Sequence, residues 1–206
     1  MNKPEERQII MRATVFALLI PALALAGGGP MATLKQINGD VDKLLKQKVD
    51  PNTPAEKKQK DDIKSLAGKL LDYGELAKRS LAQNWDKLTA PQREEFVSTL
   101  RELIERNYVK QLRTNLDYQV LYNNEEVKEN EATVSTTVKV KTQGKATDAD
   151  IVYKLRKDGE RWVVWDVITD ESSMVRNYRS QFSKIINEKS YDELIKKMKS
   201  KLASNP

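Results

Sequence analysis

Between residues 118 and 167 the apolar residues of this chain alternate with polar ones, and on either side of that stretch they recur at helical spacing. A chain that changes period twice in this way is restricted to an α+β fold whose helices come from both ends. Tyr118, Val120 and Tyr122 share one strand face, and Asn123, Asn124, Glu125 and Glu126 read as a turn. Residues 131–142 set Val134, Thr136, Val138 and Val140 against Thr133, Ser135, Thr137 and Lys139. Gln143, Gly144 and Lys145 turn the chain again, after which Ala149, Ile151, Tyr153 and Leu155 oppose Asp150, Val152, Lys154 and Arg156. A reversal on Asp158 and Gly159, where glycine accepts positive φ, returns the chain as residues 161–167. The expectation is a curved antiparallel sheet of about four strands, apolar on one face, with amphipathic helices packed on that face around either a filled core or an enclosed apolar cavity. Trp162 and Trp165 lie three apart and point to opposite faces, so the sheet should be covered on both sides there.

The helices have legible ends. Leu34, Ile37, Val41, Leu44 and Leu45 form one stripe over residues 30–48, and the break at residues 50–54 offers Thr53 as a cap with Pro54 at the first helical position. Ile63, Leu66, Ala67, Leu70 and Leu71 form the next stripe. Thr89 and Gln92 have capping-box spacing ahead of a helix that places Phe96, Leu100, Leu103, Ile104, Tyr108 and Leu112 on one face. After the last strand the chain turns helical without a linker: Thr169, Asp170, Ser172 and Ser173 offer capping oxygens, and Met174, Val175, Tyr178, Phe182, Ile185 and Ile186 follow at helical spacing. Ser190 and Glu193 open a final helix carrying Leu194, Ile195, Met198 and Leu202.

Residues 1–26 have the pattern of a secretory signal peptide: a basic start with Lys3, Arg7 and Arg12, an apolar run over 13–26, and Ala24-Leu25-Ala26 as a cleavage site. The expected organisation is a signal peptide at 1–26 and a single domain at 27–206. No cysteine follows the apolar run, which argues against a lipid anchor. The 206 residues include no His and no Cys, which removes imidazole bases, thiol nucleophiles and the usual zinc ligands. No metal site and no catalytic residue are expected. Asp166 and Asp170 are the acids worth testing in a carboxylate-based reaction, with helix capping the expected role of Asp170. The formal charge is +6, but basic and acidic residues are interspersed, as on a solvated surface, and nucleic acid is not an expected partner.

An apolar face of this kind suits either a filled core or a lined cavity, and Val134, Val138, Ile151, Tyr153, Trp165, Val167 and Met174 satisfy both. Two blocks favour the cavity by resemblance. The first holds Asp72, Tyr73, Leu76, Ala77, Leu81 and Trp85, then Thr89, Pro91, Gln92, Arg93, Phe96 and Tyr108. The second runs from Trp162 through Asp166, Val167, Asn177, Tyr178 and Arg179 to Phe182. Both resemble the MlaC family, also called toluene-tolerance or ABC-transporter auxiliary proteins. Four departures stand out: Ala82 and Glu171 replace glycines of the motifs, Trp165 replaces a tyrosine, and Asp170 replaces a glutamate. The resemblance implies a periplasmic phospholipid carrier, monomeric, with phospholipid as cargo and no cofactor. Its partners would be an inner-membrane ABC transporter complex with MCE domains and an outer-membrane lipoprotein–porin complex, and its task the upkeep of outer-membrane lipid asymmetry. The pocket role carries over to Tyr108, Ile151, Tyr153, Trp165, Val167, Met174 and Val175, beside Val134 and Val138. Tyr178 and Arg179 fit either a mouth contact or a packing tyrosine and an ion pair with an acid such as Asp166. A non-lipid adaptor of a transporter and a cavity enzyme on a similar sheet are the alternatives.

Overall fold

The computed structural model describes residues 28–114, 118–142 and 145–204. The signal-peptide expectation, the turn at Gln143 and Gly144, and the side chain of Leu112 lie outside the described part. The elements, in order, are α1 (Pro30–Leu45), α2 (Pro54–Leu70), α3 (Tyr73–Leu81), α4 (Ala90–Thr114), β1 (Tyr118–Lys128), β2 (Glu131–Thr142), β3 (Lys145–Asp158), β4 (Arg161–Thr169), β5 (Ser172–Ser173), α5 (Met174–Glu188) and α6 (Tyr191–Ala203). Each strand pairs antiparallel with the next, giving a curved, unclosed sheet in the order β1-β2-β3-β4-β5.

The sheet therefore has five strands rather than four. Asp170 and Glu171 both take positive φ, 46° and 66°, and make a two-residue reversal that brings Ser172 and Ser173 back against Thr169 and Ile168. Paired positive φ values are what a tight hairpin reversal needs. A second correction concerns β1. Asn123 to Glu126 do not turn the chain but belong to the strand, with Asn123 an extra residue between Tyr122 and Asn124 in the register. The reversal comes later, at Glu129 (φ 54°) and Asn130. As an edge strand with a solvated end, β1 needs no apolar alternation there, so polar residues gave a false turn signal.

A bulge on β4 does most to shape the interior. Tyr153 faces Val167 and Leu155 faces Val164, leaving Trp165 as the extra residue. In an unbroken strand Val164 and Val167 would point to opposite faces. The extra residue lets both face the same side and directs Trp165 elsewhere, beneath the Arg79 guanidinium, which sits 3.8 Å from its ring centroid.

Two cores result. Leu34 of α1 and Leu70 of α2 pack with Ala132, Val134, Leu155, Trp162 and Val164 of the sheet. A second core, made by α3 to α6, contains Phe96, Leu100, Val175, Phe182 and Leu194, with Trp165 against its side. The chain passes between them at Leu71 and Asp72: Leu71 bridges to Val164, the Asp72 N–H donates to the Val164 carbonyl, and the Asp72 carboxylate caps α3 at Glu75 and pairs with Arg156. Thr53, Thr89 and Ser190 cap their helices as expected, each accepting from the N–H three residues on.

At α5 Ser173 caps as expected and Asp170 does not. The Ser173 hydroxyl accepts from the Arg176 N–H, and Asp166, only 5% exposed, accepts from the Ser173 hydroxyl at 2.7 Å and the Val175 N–H at 3.0 Å. Asp170 caps nothing; its carboxylate accepts from the Asp150 N–H on β3. Position 170 is committed to the hairpin reversal, which turns its side chain toward the sheet.

Both motif glycines that this chain lacks fall at positive φ: Ala82 at 48°, where α3 ends, and Glu171 at 66°. A side chain there costs about 1–2 kcal/mol. Ala82→Gly and Glu171→Gly are each expected to stabilise by about 1 kcal/mol, read as a higher urea midpoint at unchanged slope. Asp166→Ala is expected to cost about 2–4 kcal/mol, because two groups at the start of α5 lose a charged acceptor.

Candidate functional site

The register of β3 and β4 and the periodicity of α2, α4 and α5 converge on one cavity of about 530 Å³. Residues Ala67, Leu70 and Leu71, from the end of α2, supply one wall. Ile104 and Tyr108, four apart on α4, supply a second. The floor is the sheet: Ile151 and Tyr153 alternate on β3, and Val164 and Val167 stand together because of the bulge. Met174 and Tyr178, four apart on α5, close the remaining side, where the Tyr178 ring stacks on Phe182 at 5.2 Å.

Polar residues of the lining sit where it meets solvent. Asn107, Thr169, Ser172 and Asn177 are exposed, and the Asn177 amide donates to the Ser172 hydroxyl at 2.8 Å. Asn38 of α1 also reaches the cavity and donates to the Tyr122 hydroxyl at 2.7 Å. None of the lining residues among those described carries a charge.

The tyrosines are held neutral. Burial pushes Tyr153 from its ordinary 10.0 up to about 12, with nearby Tyr122 adding to the effect and a hydrogen bond with Thr136 opposing it. Burial also raises Tyr108, helped by Tyr153, Tyr118 and Tyr122, and raises Tyr178. A low-polarity space disfavours phenolate, so these rings act as apolar surface with a neutral hydroxyl. Such a lining can take in an extended apolar molecule and leave a polar end at the rim.

Of the positions read from sequence, Tyr108, Ile151, Tyr153, Val167 and Met174 line the cavity. Val134 lies in the first core, opposite Tyr153, and Val138 sits farther along β2 opposite Ala149. Trp165 and Val175 pack with the helical core. Tyr178 lines the cavity, whereas the Arg179 guanidinium donates to the Arg79 carbonyl and makes no ion pair with Asp166. Sequence reasoning missed Ile104, which shares a stripe with Tyr108, and the end of the α2 stripe at Ala67, Leu70 and Leu71. It also missed Val164, which no regular alternation would place beside Val167.

An open sheet backed by helices around an uncharged, largely apolar cavity defines an α+β cavity protein. The chain belongs to the MlaC protein family, which it matches over residues 35–200. Its fold is that of a phospholipid-binding protein from Ralstonia solanacearum, solved in complex with a phospholipid: the two share 18% identity and superpose with a TM-score of 0.71 over 86% of this chain and 98% of the other. No curated protein matches the sequence. Among the described residues no helix is long and apolar enough to cross a membrane, and no group of acidic residues has the arrangement to hold a metal ion.

The raised value of Tyr153 has a consequence at high pH. Between pH 10 and 12 the unfolded chain sheds this proton while the folded chain keeps it, so the stability it contributes is intact below pH 10 and lost as pH climbs toward 12. Urea midpoints measured from pH 9 to 11.5 are expected to fall, and to fall less steeply in Tyr153→Phe.

Proposed function

We propose that this protein is a phospholipid carrier of the periplasm that takes up lipid from one membrane-bound complex and releases it to another. The complexes are an inner-membrane ABC transporter with MCE domains and an outer-membrane lipoprotein–porin assembly, and the outcome is an outer membrane kept asymmetric in its lipids. The carrier works as a monomer, performs no catalysis, and holds the lipid as cargo rather than as a cofactor.

The observation that carries this reading is the uncharged cavity of about 530 Å³ with its hydrogen-bonding groups at the rim. Each methylene moved out of water contributes about 0.8 kcal/mol, so ten of them supply about 8 kcal/mol without any contact to a head group. Membership of the MlaC family and a neighbour of the same fold that holds a phospholipid support the same cargo. Transport needs a site that fills and empties. A neutral lining serves that need, since it grips no ion that would have to be released.

Two measurements test the proposal. Native mass spectrometry of the exported protein, followed by lipid extraction, is expected to find phospholipid at near-integer stoichiometry. Ala67→Phe, on the buried wall of α2, is expected to fill the cavity and cut the bound lipid several-fold while leaving the thermal midpoint within a few degrees. A folded wild-type protein that stays free of lipid after incubation with liposomes would overturn the carrier and favour the adaptor.

A further inference from the structure

The basic and acidic residues are balanced through most of the chain and unbalanced at its end. Residues 27–173 carry 25 of each sign, whereas residues 174–206 carry eight basic and three acidic ones. The excess of five positive charges therefore lies wholly on α5, α6 and the turn between them. Elsewhere the cations are matched in number by acids, and many pair locally: Lys43 with Asp40, Lys46 with Asp42, Lys58 with Asp62, Arg101 with Glu105. On α5 and α6 only two lysines are paired, Lys196 with Glu193 and Lys199 with Glu95. Lys184, Lys189, Lys197 and Lys201 are exposed and, among the described residues, have no side-chain partner. Arg176 and Arg179 donate to the carbonyls of Glu171 and Arg79, which leaves their charge uncompensated.

We infer that the exposed surface of α5 and α6 docks the protein onto an anionic phospholipid surface. The inference rests on the carrier reading and adds to it the surface that holds the carrier at the membranes where its partner complexes lie. Two features favour a lipid surface over an acidic protein. Six of the eight cations are lysines, which are flexible point charges depleted from protein interfaces. The exposed large apolar residues among those described, Leu121 and Val127, stand on β1, so α5 and α6 offer no apolar anchor of the kind a protein partner would bury. A fluid sheet of negative head groups needs neither fixed geometry nor an anchor. The placement is also useful: Met174, Asn177 and Tyr178 line the cavity from the first turns of α5, so the end of the basic surface that carries Arg176 and Arg179 lies beside the opening.

The test is co-sedimentation of the exported full-length protein with vesicles of phosphatidylcholine alone and with vesicles in which about a third of the lipid is phosphatidylglycerol. Binding is expected to the anionic vesicles only, and to vanish at about 0.5 M salt. Replacing Lys184, Lys189, Lys197 and Lys201 together by Gln is expected to weaken it at least tenfold, since each lysine near such a surface contributes about fivefold. A control that removes the same charge from other exposed lysines, Lys48, Lys57, Lys69 and Lys139→Gln, is expected to retain most of the binding. Equal loss in both variants, or equal binding to both vesicles, would overturn the inference. No binding to either vesicle would overturn it as well, and would point to an acidic protein as the partner of this surface. Lipid content is measured by native mass spectrometry on the same samples: a wild type that carries lipid yet ignores vesicles defeats the docking surface alone, and one that lacks lipid defeats the carrier reading.

Discussion

The buried Asp166 carboxylate joins the two halves of this structure. It leaves β4 beside the bulge and accepts hydrogen bonds from the Ser173 hydroxyl and the Val175 N–H, so the start of α5 is fastened to the strand that precedes it by only a hairpin turn. A charge removed from water is tolerated when its oxygens meet oriented donors, and a helix N-terminus supplies both donors and a favourable dipole. Together with the packing of Val175 and Phe182 in the helical core, that contact sets the angle of α5 to the sheet. The cavity wall at Met174 and Tyr178 depends on that angle.

Fold and site were legible to different depths. The alternation from Val134 to Val140 and from Ala149 to Leu155 placed β2 and β3 correctly, because a strand with one apolar face writes its period into the sequence. Thr53, Thr89 and Ser190 were legible as caps for a similar reason: the side chain and its N–H partner are three residues apart. What failed was each irregularity. Asn123 and Trp165 are extra residues in a ladder, and no local pattern distinguishes an extra residue from a regular one until the partner strand is in view. Asp166 reads from sequence as a possible catalytic acid because its capping partner Val175 is nine residues away, across a hairpin that no local pattern announces.

The cavity shows the same limit. Tyr153 and Val134 face each other across adjacent strands with the same sequence signature, yet one ring borders open space and the other side chain is wholly buried. Periodicity reports the face on which a residue lies and says nothing of what opposes it. Where α1 presses close, at Leu34, the face becomes core; where the helices stand off, near Tyr108 and Tyr153, it becomes a lining. The departures at Ala82 and Glu171 were the more telling sequence features. A motif glycine marks a backbone requirement, and at both positions the backbone keeps its positive φ after the glycine has gone.

The edge strand β1 carries a different implication. Leu121, 36% exposed, and Val127, 52% exposed, lie on the strand whose outer edge has no partner in the sheet. A flat apolar edge of that kind would recruit a second copy of itself and begin a fibre. The extra residue at Asn123 breaks the repeat, and three glutamates, Glu125, Glu126 and Glu129, outnumber the one lysine, Lys128, along the rest. Each added chain would have to bring its own glutamates alongside these. Polymerisation is thereby opposed by electrostatic repulsion that grows with every copy, and the irregularity in β1 works as a guard against self-assembly.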